Sequence, residues 1–137
     1  MDTDRAAGRR AGRNVSLATY GGSLWTTLEA AEALVGEGIE AEVIDLCVLR
    51  PLDDATIIGS VRRTRRAVVV DEGWRSGSIS AEIAARIVEG ASYSLDAPVG
   101  RVCSAEVPIP NPKHLEDAAI PQVAGITAAA RAAMGRG

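Results

Sequence analysis

With 137 residues, 47% of them hydrophobic and 24% charged, the chain has the size and make-up of one globular domain, for which ~100–200 residues is usual. An enzyme with separate cofactor and substrate domains would need about twice that length. No apolar run approaches the roughly 18 residues of a membrane span. The net charge of −3 argues against nucleic acid as a partner, because phosphate binding needs a basic face.

The charge is unevenly spread. Arg5, Arg9, Arg10 and Arg13 against Asp2 and Asp4 make residues 1–14 about +2, and the remainder is about −5. Residues 1–14 lack the apolar stretch of a secretory signal and are expected to form an Arg-rich flexible tail, with the folded domain over 15–137. Aromatic residues are 3% of the chain and Phe is absent, so the core must be built from Ala, Val, Ile and Leu. Small side chains of this kind suit helices packed closely on a sheet.

The chain then alternates regularly. Asn14–Tyr20 predicts a strand, ended by Gly21-Gly22. Ser23 is the expected N-cap of a helix running to about Val35, with Leu24, Leu28, Ala31 and Val35 on its inner face. Ala41–Leu49 predicts a strand buried on both faces. Asp53 is the expected cap of a helix to about Thr64, with Ile57, Ile58 and Val61 facing inward. Arg62, Arg63, Arg65 and Arg66 follow at its C-terminal end, where the helix dipole favours cations. Ala67–Asp71 predicts a strand and Glu72–Gly77 a loop. A helix is expected over Ser80–Glu89, a strand over Pro98–Ala105, and a last helix from near Pro121 to about Met134. Between these last two, three prolines within Val107–Pro112 deny both helix and ladder, and Lys113–Ala119 is expected to turn. The order predicts an α/β fold: three layers, α/β/α, around a mostly parallel sheet of four strands, with the tail a candidate for a fifth, edge strand.

Ligands of open α/β sheets sit at the carboxyl ends of the strands. Gly21, Gly22 and Ser23 lie at such an end, before a helix, and are the weak candidates for an anion site. They lack the third glycine and the lysine of nucleotide-binding loops. Arg50 ends the next strand and shares that candidacy. Asp71 and Glu72 are adjacent carboxylates on an extended segment, so they point apart, and one of them is expected to cap the following loop or helix. His114 is the only histidine, among Lys113, Glu116 and Asp117, without a nucleophile beside it. Cys47 and Cys103 belong to no metal-binding spacing and are expected to be buried free thiols, as in a cytoplasmic protein. The residues alone therefore give no catalytic, cofactor-binding or metal-binding set.

Three motifs carry a family likeness: IDL-x-x-LRPLD at Ile44–Asp53, V-x-EGW at Val70–Trp74, and Glu106–Pro110 (EVPIP) in place of a D-x-P-I-P run. In order and spacing, from about Val15 to Met134, the chain resembles the C-terminal domain of the beta subunit of thiamine-diphosphate-dependent 2-oxoacid dehydrogenases, the pyruvate dehydrogenase type. The same domain closes transketolase. Cys47, Val48 and Glu106 depart from the usual pattern.

The resemblance implies a non-catalytic assembly and docking subunit. In that family, thiamine diphosphate and magnesium are held by other domains. Separate subunits with diphosphate- and pyrimidine-binding domains would then be partners, in a homo- or hetero-oligomer, and an acyltransferase core is a further partner. The overall reaction would be 2-oxoacid decarboxylation or two-carbon ketol transfer. The resemblance also implies that Asp96 and the C-terminal carboxylate of Gly137 meet a basic subunit-binding module. Trp74 is a candidate interface anchor. Starting at Met1, the chain is expected to be a natural split subunit. A fragment of a full beta subunit and a stand-alone anion-binding regulator are the alternatives.

Overall fold

A computed structural model describes residues 7–47, 52–74, 77–104 and 121–135. The strands are β1 (Ala7–Arg10), β2 (Val15–Thr19), β3 (Ala41–Asp45), β4 (Ala67–Trp74) and β5 (Gly100–Ser104). The helices are α1 (Ser23–Val35), α2 (Asp54–Thr64), α3 (Ile79–Ala91) and α4 (Val123–Ala133). One sheet runs β1-β3-β2-β4-β5, with β1 antiparallel and every other pairing parallel.

Alternation along the central strands divides the core in two. Val15, Leu17, Ala41, Val43, Val68 and Val70 face Ala30, Leu34, Ile126 and Ala130 of α1 and α4. Ala18, Ile44, Ala67 and Val69 face Ile57, Val61, Ile83 and Ile87 of α2 and α3. The continuous apolar runs of β3 and β4 thus reflect burial on both faces.

Several details differ from the sequence expectations. Over Ala7–Arg10 the tail is not a flexible segment but the fifth, edge strand for which it is a candidate in the sequence. The chain between β1 and β2 lies hard against β3. A Cβ on Gly12 would stand 2.3 Å from the Ala41 carbonyl carbon, so only glycine fits. Helix α1 is rotated relative to its expected face: Ser23, Thr27, Ala30, Ala31 and Leu34 are buried, Leu24 and Leu28 pack at the margin, and Val35 is exposed. Small residues let the helix approach the sheet, and Thr27 can be buried because its hydroxyl donates to the Ser23 carbonyl at 2.7 Å.

Strand β3 stops at Asp45, and Cys47 turns the chain at φ 57°, its N–H donating to Asp45 Oδ1 at 3.1 Å. Both cysteines are free and half-buried. Strand β4 runs through the expected loop to Trp74, because pairing with β5 resumes at Trp74 opposite Ser104 after an irregularity. Strand β5 starts at Gly100, two residues after Pro98. Asp53 caps α2 as expected, accepting from Thr56 N–H at 3.2 Å. Arg50, His114, Gly137, the prolines of 107–112 and the turn at 113–119 lie outside the described residues.

Candidate functional site

Two polar regions occupy opposite ends of the sheet. The first is built at the carboxyl ends of β2, β4 and β5. Asp71, fully buried near the end of β4, accepts from Gly73 N–H at 2.8 Å, from Ser80 N–H at 3.0 Å and from the Tyr20 hydroxyl. It thereby satisfies one of the free N–H groups at the start of α3. Burial opposes its charge, but the bonds from Tyr20, Gly73, Ser80 and Ser78 outweigh burial and hold its carboxyl below the ordinary range. Burial, the bond to Asp71 and the nearby negative charges raise the Tyr20 phenol above its ordinary value. Ser80 Oγ also lies 2.6 Å from Ser78 Oγ and 3.3 Å from Cys103 Sγ.

Glu72 points the other way. Its carboxylate accepts from Ser23 Oγ at 3.1 Å, and its carbonyl accepts from the Ser104 hydroxyl. The pair diverges as an extended segment requires, with Asp71 serving α3 and Glu72 serving the start of α1. This stands against reading Gly21, Gly22 and Ser23 as an anion site. Gly21 makes the turn at φ 62°, Gly22 rather than Ser23 is the N-cap, and a Cβ on Gly22 would meet Glu72 Oε1 at 3.1 Å. A carboxylate already faces the glycines, and it would repel a second anion. Among the described residues no group of His, Cys, Asp and Glu could hold a metal ion. The described residues at this end therefore offer no set that would hold a diphosphate and magnesium.

The second region is at the amino end. Arg65, in left-handed conformation at φ 66°, closes α2. Its Nε and Nη2 donate to the two carboxylate oxygens of Asp96, each at 3.0 Å, and Arg66 lies 3.8 Å from the same carboxylate. The hydrogen bonds from Arg65, and the charges of both arginines, keep Asp96 below the ordinary carboxylate range against the cost of desolvation. Arg62 donates to the Gly90 carbonyl at 2.9 Å and Arg63 to Glu42 at 2.9 Å, so the basic cluster is engaged within the chain.

Beyond Asp96, the segment Ala97–Arg101 and Ala129, Ala132 and Ala133 of α4 line a shallow, largely apolar groove. Asp96 and the C-terminal end of α4 thus share one edge of the domain. Trp74 does not join them. It ends the eight-residue β4 at the opposite end of the sheet, about 25 Å away at ~3.3 Å per residue. Its side chain lies outside the described residues. Asp71 caps the following loop and helix as the sequence predicts, whereas its third donor, the Tyr20 hydroxyl 51 positions away, has no signal in the sequence.

Comparison with known proteins extends this picture. The model for the transketolase C-terminal domain matches residues 4–126. The chain is 42% identical over 127 residues to the mitochondrial pyruvate dehydrogenase E1 component subunit beta of Dictyostelium discoideum, covering 93% of this chain and 36% of the relative. It is 45% identical over 125 residues to the beta subunit of acetoin:2,6-dichlorophenolindophenol oxidoreductase from Cupriavidus necator, covering 91% and 37%. A solved split-gene transketolase, an inactive beta4 tetramer, superposes with a TM-score of 0.82 at 26% identity, covering 98% of this chain and 44% of that one. The chain spans about a third of the length of the curated relatives it matches.

Proposed function

Because the chain belongs to the transketolase C-terminal domain family, we propose that it is the assembly and docking part of a thiamine-diphosphate-dependent enzyme of the pyruvate dehydrogenase beta type. In this reading the diphosphate- and pyrimidine-binding domains, with thiamine diphosphate and magnesium, come from other polypeptide or other parts of a longer chain. The overall reaction is decarboxylation of a 2-oxoacid. The observation that carries the reading is the amino-end surface, where Asp96 stands beside the groove between Ala97–Arg101 and the end of α4. A carboxylate beside an apolar groove, held by Arg65 and Arg66 until a partner's cation takes their place, fits a basic module, with the groove supplying burial. In this reading the C-terminal carboxylate of Gly137, which lies outside the described residues, is a second acidic group for the module.

The free thiols suit a reducing compartment, and a cytoplasmic location belongs to the proposal. The superposition on a split-gene transketolase favours ketol transfer as the second reading of the reaction. The test is co-elution. The chain, mixed with polypeptides carrying the two missing domains, is expected to migrate with them as one complex through size-exclusion chromatography. Separate elution at micromolar concentrations would remove the assembly role.

A further inference from the structure

Strand β1 is held differently from the rest of the sheet. No apolar side chain of residues 8–14 enters either core, whereas β2, β3 and residues 67–70 of β4 bury theirs completely. Pairing runs only to β3, and its register shifts between Gly8 and Arg10. Beyond this short ladder, the close approach of Gly12 to Ala41 and the Arg13 N–H on the Glu40 carbonyl at 3.2 Å, what fastens the segment is charge. Arg9 pairs with Asp45 of β3 at 3.2 Å, Arg10 with Glu32 of α1, and Arg13 with Glu40 before β3 at 2.5 Å. Two pairs have a well-exposed partner, Glu32 at 71% and Arg13 at 81%, and in the third Arg9 is 34% accessible.

We propose that the segment from β1 to Arg13 is an ionically latched strap, which opens as a unit ahead of the domain and bares the edge of β3. Segments without buried apolar contacts open at the low end of a protein's range of local stabilities. Exposed ion pairs are weak individually and are screened by salt. Two of them on the short strand and a third just after it make the strap's closure depend on ionic strength in a way that the apolar cores do not. Opening would leave the β3 backbone groups that face β1 unpaired, next to the carboxylates of Asp45, Glu32 and Glu40. That edge has the form and charge to take an arginine-bearing extended segment, which the strap supplies within the chain.

Amide hydrogen exchange on the full chain tests this, at about 0.1 M and about 1 M sodium chloride, between which the screening length falls from ~10 Å to ~3 Å. The amides of Gly8, Arg9 and Arg10 are expected to exchange about tenfold faster at the higher salt, while those of Leu17 and Val68 keep their rates. Glu32→Gln at the lower salt is expected to move the same three amides in the same direction, by about threefold. Exchange of the β1 amides at the rate of Leu17 and Val68, or rates indifferent to salt and to Glu32→Gln, would overturn the proposal.

Discussion

Asp96 and Arg65 are joined three times: two guanidinium–carboxylate hydrogen bonds of 3.0 Å, and the Asp96 N–H on the Arg65 carbonyl at 2.9 Å. The residue proposed to meet a basic partner is thus already held by a basic neighbour. The backbone bond fixes where the carboxylate stands, while the exposed guanidinium is a competitor that a partner would displace.

This competition gives opposite expectations for two variants. Asp96→Asn is expected to weaken capture of a basic subunit-binding module about tenfold or more, and Arg65→Gln to strengthen it by freeing the carboxylate. Both pairings are solvent-exposed, so the melting temperature is expected to change little. Titration calorimetry with the module reads both. Equal affinities for the two variants would remove Asp96 from the docking surface.

At the other end of the sheet, Asp71 ties three elements together. Asp71→Ala would leave the Gly73 and Ser80 N–H groups and the Tyr20 hydroxyl without their acceptor. The expected cost is about 2–4 kcal/mol in urea denaturation. Tyr20→Phe removes one donor and is expected to cost about 1 kcal/mol. The double variant should cost less than the sum, because the two residues share a bond. Strict additivity would mean that the Tyr20–Asp71 contact contributes nothing.

The same pair shapes the pH dependence. Asp71 is lowered on folding, so its contribution is present above the ordinary carboxylate value of ~3.9 and is lost as pH falls below it. Tyr20 is raised on folding, so its contribution is present below ~10 and is lost as pH rises past that value. Stability measured by urea at fixed temperature should therefore plateau between about pH 4 and pH 10. Tyr20→Phe should flatten the alkaline decline; an alkaline limb unchanged in that variant would show that Tyr20 does not titrate as described.

Much of this architecture can be read from residue types. The apolar runs of β3 and β4 fit two-sided burial, and Asp53 caps α2 through a bond three residues along. Features resting on distant partners cannot be read that way. Strand β1 has the composition Ala-Gly-Arg-Arg, which carries no strand signature, and it exists through its ladder to β3 and its ion pairs. The inward face of α1 is shifted because Thr27 finds a partner inside its own helix, so hydrophobic spacing alone selects the wrong residues. Arg65 looks like one cation of four at a helix end. Its pairing with a carboxylate 31 positions away appears only when α2 and the approach to β5 are brought together.

Glu72 bears on the alternative of a small-anion regulator. With its carboxylate at the start of α1, millimolar phosphate or nucleotide is expected to give no heat in calorimetry. Saturable heat that is lost on changing Ser23 to Ala would restore the glycine–serine turn as a binding site.

The most direct measurement of the central claim is turnover of a 2-oxoacid by the partner polypeptides, titrated with this chain. The expected result is a rate that rises with added chain and levels off at a fixed stoichiometry, with no turnover by the chain alone. A rate that is unchanged across the titration would contradict the role assigned to this domain.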